Sequence, residues 1–198
     1  MTSPSRTDIR RALRAARRGI SPASRREAAL AAARALATTG WLRPGRRLSG
    51  YLATAEEFDC APLLEAARRH GMQLFVPQIA ARRQPAMRFA PLTPPLRRNR
   101  YGLLEPASAR TLAGAWMDVV LLPLVGFDAK GGRLGMGAGF YDRALSFRRR
   151  RSHWRGPRLI GVGFEVQRIE AIPMQTWDVH LDGVLTERGV TIFPERAE

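Results

Sequence analysis

Residues 118–145 read DVVLLPLVGFDAKGGRLGMGAGFYDRAL. The run 119–122 is short and apolar at successive positions, the pattern of a central strand covered on both faces in a parallel sheet. It passes through Pro123 into a segment with six glycines: Gly126, Gly131, Gly132, Gly135, Gly137 and Gly139. A helix is expected from about Ala138. Strand, loop and helix in this order form the unit of open α/β sheets, which place ligands beyond the carboxyl ends of their strands. The plain alternative for such a loop is a long flexible turn. Three features favour a phosphate-gripping loop: its place at a strand end, its run into a helix whose free amides and dipole favour an anion, and Arg133. A guanidinium there is a fixed charge able to fork onto phosphate oxygens.

The common nucleotide motifs do not fit. The loop has no Gly-Lys-Ser/Thr, so it is not a Walker A sequence. Gly135-Met136-Gly137 is followed by Ala138, Gly139 and Phe140, so GxGxxG fails at its last glycine, and no acidic residue about 20 positions on would hold a ribose. Asp142, on the first turn of the expected helix, has two readings. It can complement the helix dipole, or it can hold Mg²⁺ at the edge of a phosphate site, since that ion prefers one or two carboxylates plus phosphate oxygens. The loop's context favours the second.

Outward from this segment, helix and strand patterns alternate. Ser5 or Thr7 can cap a helix through Arg18, and Ser21-Pro22 opens a second that ends at Gly40. A strand is expected over 47–53 and a helix over 63–70, stopped by Gly71 with His70 at its C-terminus. The next strand spans 72–76. Residues 80–110 hold five prolines and read mostly as loop, with a strand at 87–90. Strands at 159–164 and 183–186 and an edge strand at 190–193 complete the pattern. No repeat or linker divides the chain. The expected architecture is a three-layer α/β domain over 1–198, with an open, mostly parallel sheet and helices from 1–40 packed on it.

Bulk composition excludes several classes. The chain has 198 residues and is 45% hydrophobic, enough for a real core. No apolar run approaches the roughly 20 residues that span a bilayer, and the basic N-terminus lacks the apolar core of a secretory signal. A cytoplasmic protein is expected. Cys60 is the single cysteine, which rules out an internal disulfide or an all-cysteine metal cage; it reads as a small buried residue. The formal charge is +16, and of 33 basic residues only Lys130 is lysine. The arginines fall in short clusters at 10–18, 25–26, 82–83, 97–100 and 148–151. Aromatic residues are not interleaved with them as a nucleic-acid stacking platform requires, so a compositional bias toward arginine is preferred. A basic nucleic-acid module stays as the alternative.

At these residues the chain resembles the 5-formyltetrahydrofolate cyclo-ligase (5,10-methenyltetrahydrofolate synthetase) family. The family hallmark is a strand ending in proline, then Phe-Asp, then Gly-x-Arg-Leu-Gly-x-Gly-x-Gly-aromatic-Tyr-Asp. It stands here as Leu122-Pro123, Phe127-Asp128 and GGRLGMGAGFYD from Gly131 to Asp142. Similar segments run from Arg6 to Arg10, from Leu48 to Asp59, from Tyr101 to Pro106, and from Gly163 to Asp182. The resemblance implies the fold shared with ribose-5-phosphate isomerase and CoA transferases. The activity it implies is an ATP-dependent ring closure through a phosphorylated formyl group.

The resemblance also implies residue roles. Arg6, Thr7, Asp8, Ile9 and Arg10 would hold ATP together with Arg133, Leu134, Gly135, Met136, Gly137, Ala138, Gly139, Phe140 and Tyr141. Arg133 would hold the phosphates, and Asp142 and Asp178 would hold Mg²⁺. Glu57 would accept from the amino-pyrimidine edge of the pterin. Leu52 and the stretch from Met136 to Phe140 would line the folate side. The implied partners are the small-molecule substrates alone, on a monomer without nucleic acid or membrane. Met136, Ala138 and Phe140 depart from the commonest family residues, so a relative acting on another substrate is the second alternative.

Overall fold

The computed structural model describes residues 4–80, 86–149 and 156–194. Arg82, Arg83, Arg150 and Arg151, from the clusters noted above, lie outside them.

Helix α1 (Arg6–Arg18) starts where Ser5 Oγ accepts from the Asp8 amide at 3.2 Å, and α2 (Pro22–Ala37) starts the same way at Ser21 with proline in its first turn. On α2 the residues Ala28, Ala29, Ala32, Ala33 and Leu36 are buried, one stripe at helical spacing laid against the sheet. The helix stops at Ala37 rather than Gly40, because Thr38 and Thr39 turn their hydroxyls onto the carbonyls of Ala35 and Leu36.

The remaining elements are β1 (Arg47–Ser49), α3 (Ala61–Arg69), β2 (Gln73–Ile79), β3 (Met87–Pro91), β4 (Leu96–Arg98), β5 (Leu104–Pro106), β6 (Val119–Pro123), β7 (Gly126–Phe127), β8 (Arg133–Leu134), α4 (Phe140–Ala144), β9 (Arg158–Val162), β10 (Gly183–Thr186) and β11 (Gly189–Ile192). Seven of the strands form one sheet in the order β11-β10-β9-β6-β1-β2-β3. The five inner strands are parallel, and β11 and β3 close the edges antiparallel.

The apolar run at 119–122 behaves as expected. Val119 and Leu121 enter a core shared with α2 and α3, while Val120 and Leu122 enter a second core on the other face. That face is covered by short pieces, namely α4, the β7–β8 hairpin and single helical turns, so the two outer layers are unequal. Strand β2 outlasts its expected end at 76 because β3 pairs with it from Phe75 to Ile79. Strand β1 is shorter than 47–53: the ladder ends at Ser49, and after Gly50 the chain leaves the sheet. Within 80–110 the chain forms an unforeseen hairpin, β4–β5, turned by Asn99, whose Oδ1 accepts from the amides of Tyr101 and Leu103, and by Gly102 at φ +74°.

The sheet order sets the position of the site. From β1 the chain moves outward to β2 and β3, and from β6 it moves the other way to β9 and β10. The order therefore reverses between β1 and β6, and a crevice opens beyond the carboxyl ends of these two strands.

Candidate active site

A cleft of about 580 Å³ occupies that crevice. Tyr51 and Leu52 line it from the end of β1, and Pro123 and Leu124 from the end of β6. The glycine loop contributes Arg133 and every residue from Gly135 to Asp142. Helix α1 contributes Arg6, Arg10 and Arg17; the β4–β5 hairpin contributes Asn99, Leu103 and Leu104; and Gln175, Trp177 and Asp178 complete the opposite end of the sequence.

The loop is held by specific bonds. Asp128 is buried, and its carboxylate accepts three backbone amides at 2.8 Å: Lys130 and Gly132 on Oδ1 and Ile172 on Oδ2. Gly131 has φ +79°, and a Cβ there would lie 2.6 Å from the Leu181 carbonyl oxygen. Gly131→Ala should therefore cost about 2–3 kcal/mol from left-handed backbone strain and the clash, read as a lower urea midpoint. At Gly126 a Cβ would lie 2.4 Å from Leu13 of α1, so glycine lets the helix approach. Arg10 then reaches across, its Nε donating to the Gly135 carbonyl at 2.8 Å.

Two arginine–carboxylate pairs face the cleft. Arg133 donates to Asp142 Oδ1 at 2.7 Å, and the same oxygen accepts the Val179 amide at 3.2 Å. Arg6 donates to Asp178 Oδ2 at 2.6 Å, and that oxygen also accepts the Gln175 amide at 2.8 Å. The Val179 bond ties the segment carrying Asp178 to Asp142, so residues far apart in sequence share one end of the site. Arg133 is 5% exposed, and its Nε has no hydrogen-bond partner among the described residues. Its guanidinium lies 5.9 Å from the Tyr141 ring centre.

Leu52 and Glu57, expected on the folate side, line the same cleft. Glu57 Oε2 accepts from the Thr54 amide at 2.9 Å and from its hydroxyl at 3.1 Å, which fixes the carboxylate at the cleft. Burial pushes the Tyr141 phenol well up, and the Glu57 charge adds to this. Tyr51 is pushed up by burial too, and its hydroxyl donates to the Phe58 carbonyl at 2.9 Å. Both tyrosines therefore stay neutral. Cys60 is fully buried, and burial pushes its thiol up to about 12, so it is no nucleophile.

Several expected ATP residues do not line the cleft. Arg6 and Arg10 are four apart and share a helix face; Thr7, Asp8 and Ile9 fall on the others. Asp8 instead accepts from Ser5 and pairs with Arg11. Leu134 alternates with Arg133 along β8 and is buried in the protein. Helix α4 begins at Phe140, after Gly139 at φ +66°, and has only five residues. So short a helix contributes little dipole, and the positive charge of the site comes from Arg6, Arg10, Arg17 and Arg133. Arg17, Tyr51, Asn99 and Trp177 were not anticipated. For Arg17 a signal existed: it lies seven residues beyond Arg10, on the same helical stripe.

The donor set fits a phosphate-bound Mg²⁺. Two carboxylates, Asp142 and Asp178, border a cationic cleft, and the described residues contain no group of three or more His, Cys, Asp or Glu that could hold a metal by themselves. A hard cation that keeps most of its ligands as water and phosphate oxygen needs no more.

Relatives of known name match the chain along most of its length. The family model for 5-formyltetrahydrofolate cyclo-ligases matches residues 2–187. The 5-formyltetrahydrofolate cyclo-ligase of Escherichia coli K12 is 31% identical over 180 residues, 88% of this chain and 96% of the relative. That of Mycolicibacterium smegmatis is 31% identical over 209 residues, 96% of this chain and 98% of the relative. In fold, the solution structure of Aquifex aeolicus 5,10-methenyltetrahydrofolate synthetase superposes with a TM-score of 0.78 at 23% identity, covering 98% of this chain and 95% of that one. With Arg133 and Gly135 to Asp142 of the hallmark lining the cleft and the match running through both flanks, the chain belongs to the 5-formyltetrahydrofolate cyclo-ligase family.

Proposed function

We propose that the chain closes 5-formyltetrahydrofolate to 5,10-methenyltetrahydrofolate at the expense of ATP, releasing ADP and phosphate. One observation carries this reading: in a member of the family, the glycine loop and two arginine–carboxylate pairs converge on one cleft. A formamide oxygen is a poor leaving group and must be activated. The formyl oxygen takes the γ-phosphoryl group as the bond to ADP breaks, giving an iminium phosphate. The N10 lone pair then attacks the formyl carbon, N10 loses its proton, and phosphate departs with the former formyl oxygen. Phosphoryl transfer asks for positioning and charge neutralisation rather than a covalent nucleophile. A cleft of arginines, glycines and aspartates, with its one cysteine inert, suits that demand.

In this reading Arg133, Arg6 and Arg10 hold the ATP phosphates, and the loop backbone from Gly135 to Tyr141 shapes their seat. Asp142 and Asp178 would hold Mg²⁺, which when bound neutralises phosphate charge. Glu57 accepts from the 2-amino group and N3–H of the pterin, a paired donor edge that matches a carboxylate. Leu52 and the segment from Met136 to Phe140 lie along the folate. We take residues 1–198 as one monomeric cyclo-ligase unit working in the cytoplasm; no helix among the described residues is long and apolar enough to cross a membrane.

Purified protein mixed with 5-formyltetrahydrofolate and Mg-ATP should build up the near-ultraviolet band of the methenyl product. A band that fails to appear, or that grows equally well without ATP, would falsify this function.

A further inference from the structure

Arg17 is the charged cleft residue left without a task by the reaction above. It is 2% exposed yet lines the cleft. Its Nε has no hydrogen-bond partner among the described residues. Its Nη2 lies 3.6 Å from Glu56 Oε2, longer than a hydrogen bond. Glu56 does not depend on it, because Arg14 already grips the same oxygen at 2.8 and 3.2 Å. Burial pulls the Arg17 guanidinium down from its ordinary value, and the charge that most opposes this is the carboxylate of Glu57. A buried cation with an idle donor is costly to the free protein. Arg17 lines the cleft all the same, so an acceptor bound there and reached by its guanidinium would offset that cost.

The chemistry of that acceptor follows from Glu57, and the step rests on the role given to that residue above. The pyrimidine edge of a reduced pterin presents the 2-amino group and N3–H as donors, then the C4 carbonyl oxygen as an acceptor. A carboxylate serves the two donors only. The acceptor beside them calls for a donor next to the carboxylate, and a guanidinium is the strongest available. We propose that Arg17 is a specificity-determining residue, donating to the C4 carbonyl oxygen of the pterin whose neighbouring donors Glu57 accepts. The pair reads the whole edge, and because C4 adjoins the ring carbon that leads to N5, it also orients the side of the ring that carries the formyl group. A pterin with an amino group at C4 would turn a donor toward the cation and leave both unpaired, so the site rejects it.

The test compares two competitive ligands, a 4-oxo folate and its 4-amino-4-deoxy counterpart, on the wild-type protein and on Arg17→Met, Arg17→Lys and Glu57→Gln. The wild type should favour the 4-oxo ligand by about 10- to 100-fold, the scale of a buried charged hydrogen bond. Arg17→Met should raise the KM for 5-formyltetrahydrofolate by a similar factor, leave the KM for ATP within about threefold, and shrink the preference to a few-fold; Arg17→Lys should restore part of it. A purely structural Arg17 would lower the melting temperature without moving the 4-oxo preference, and that result overturns the proposal. So does a wild-type protein with no preference, a measurement that needs no variant to fold. If Glu57→Gln weakens both ligands while Arg17→Met changes neither, Arg17 is overturned and the reading of Glu57 stands. If neither variant affects either ligand, the pterin is not held by this edge and both fall.

Discussion

Asp142→Ala should lower kcat by about a hundred- to a thousandfold, the scale on which one preorganised electrostatic contact to a charged transition state acts. The side chain would do two jobs. In the proposed reaction it holds the metal against the phosphates, and in the protein it neutralises Arg133, whose side chain is only 4% exposed. Alanine removes both, and an unpaired buried cation costs about 3–5 kcal/mol. The lower end applies, because the Asp142 side chain is 16% exposed and water can partly replace it. Loss of activity in the alanine variant therefore has two causes. Asp142→Asn separates them: its amide oxygen can still accept from Arg133 and from the Val179 amide, so the melting temperature should stay within a few degrees. Turnover of the asparagine variant should nonetheless fall nearly as far as that of alanine. Asparagine activity within tenfold of wild type would make Asp142 a structural partner of Arg133 and remove it from the metal site.

That ambiguity was only half legible in the sequence. The spacing of Arg133 and Asp142 marks both as charged residues at the ends of a glycine loop, and the family resemblance assigns them separate ligands. Their direct pairing is a tertiary fact, created because β8 turns the Arg133 side chain toward the cleft while Gly139 starts α4 beside it. The parallel core was legible for a simple reason: Val119 to Leu122 is apolar on both faces, and only a covered strand requires that. The β4–β5 hairpin was missed because Pro91, Pro94, Pro95 and Pro106 mask it. Its turn nonetheless carries an Asn three residues before a Gly, a combination whose side-chain acceptor and left-handed backbone build a turn. Arg17 was hidden for a different reason. Its place on the helical stripe of Arg10 is a weak signal in a chain where nearly every basic residue is arginine, and only packing, which buries it, sets it apart.

Asp128→Ala should be the most destabilising single substitution in the loop. The carboxylate is 4% exposed and accepts the amides of Lys130, Gly132 and Ile172. Alanine leaves three N–H groups to find other acceptors; at about 1–3 kcal/mol for each one that stays buried and unpaired, and with the Lys130 amide better placed to reach water, the expected loss is about 3–5 kcal/mol. Losses of that size consume much of the stability of an ordinary domain, so the urea midpoint should fall steeply and the variant should melt well below the wild type. Asp128→Asn is the sharper probe. Its single amide oxygen can replace Oδ1 toward Lys130 and Gly132, but its NH₂ then faces the Ile172 amide, donor against donor, in a space where a Cβ on Gly132 would already lie 2.4 Å from Oδ2. It should recover less than half of the lost stability. The bond to Ile172 is also one of those that tie the glycine loop to the segment carrying Asp178, so the asparagine variant should show a raised KM for ATP at temperatures where it remains folded. Asparagine with wild-type stability and wild-type ATP kinetics would mean that the loop is set by its glycines and by the Arg10 contact alone, with Asp128 a bystander to its shape.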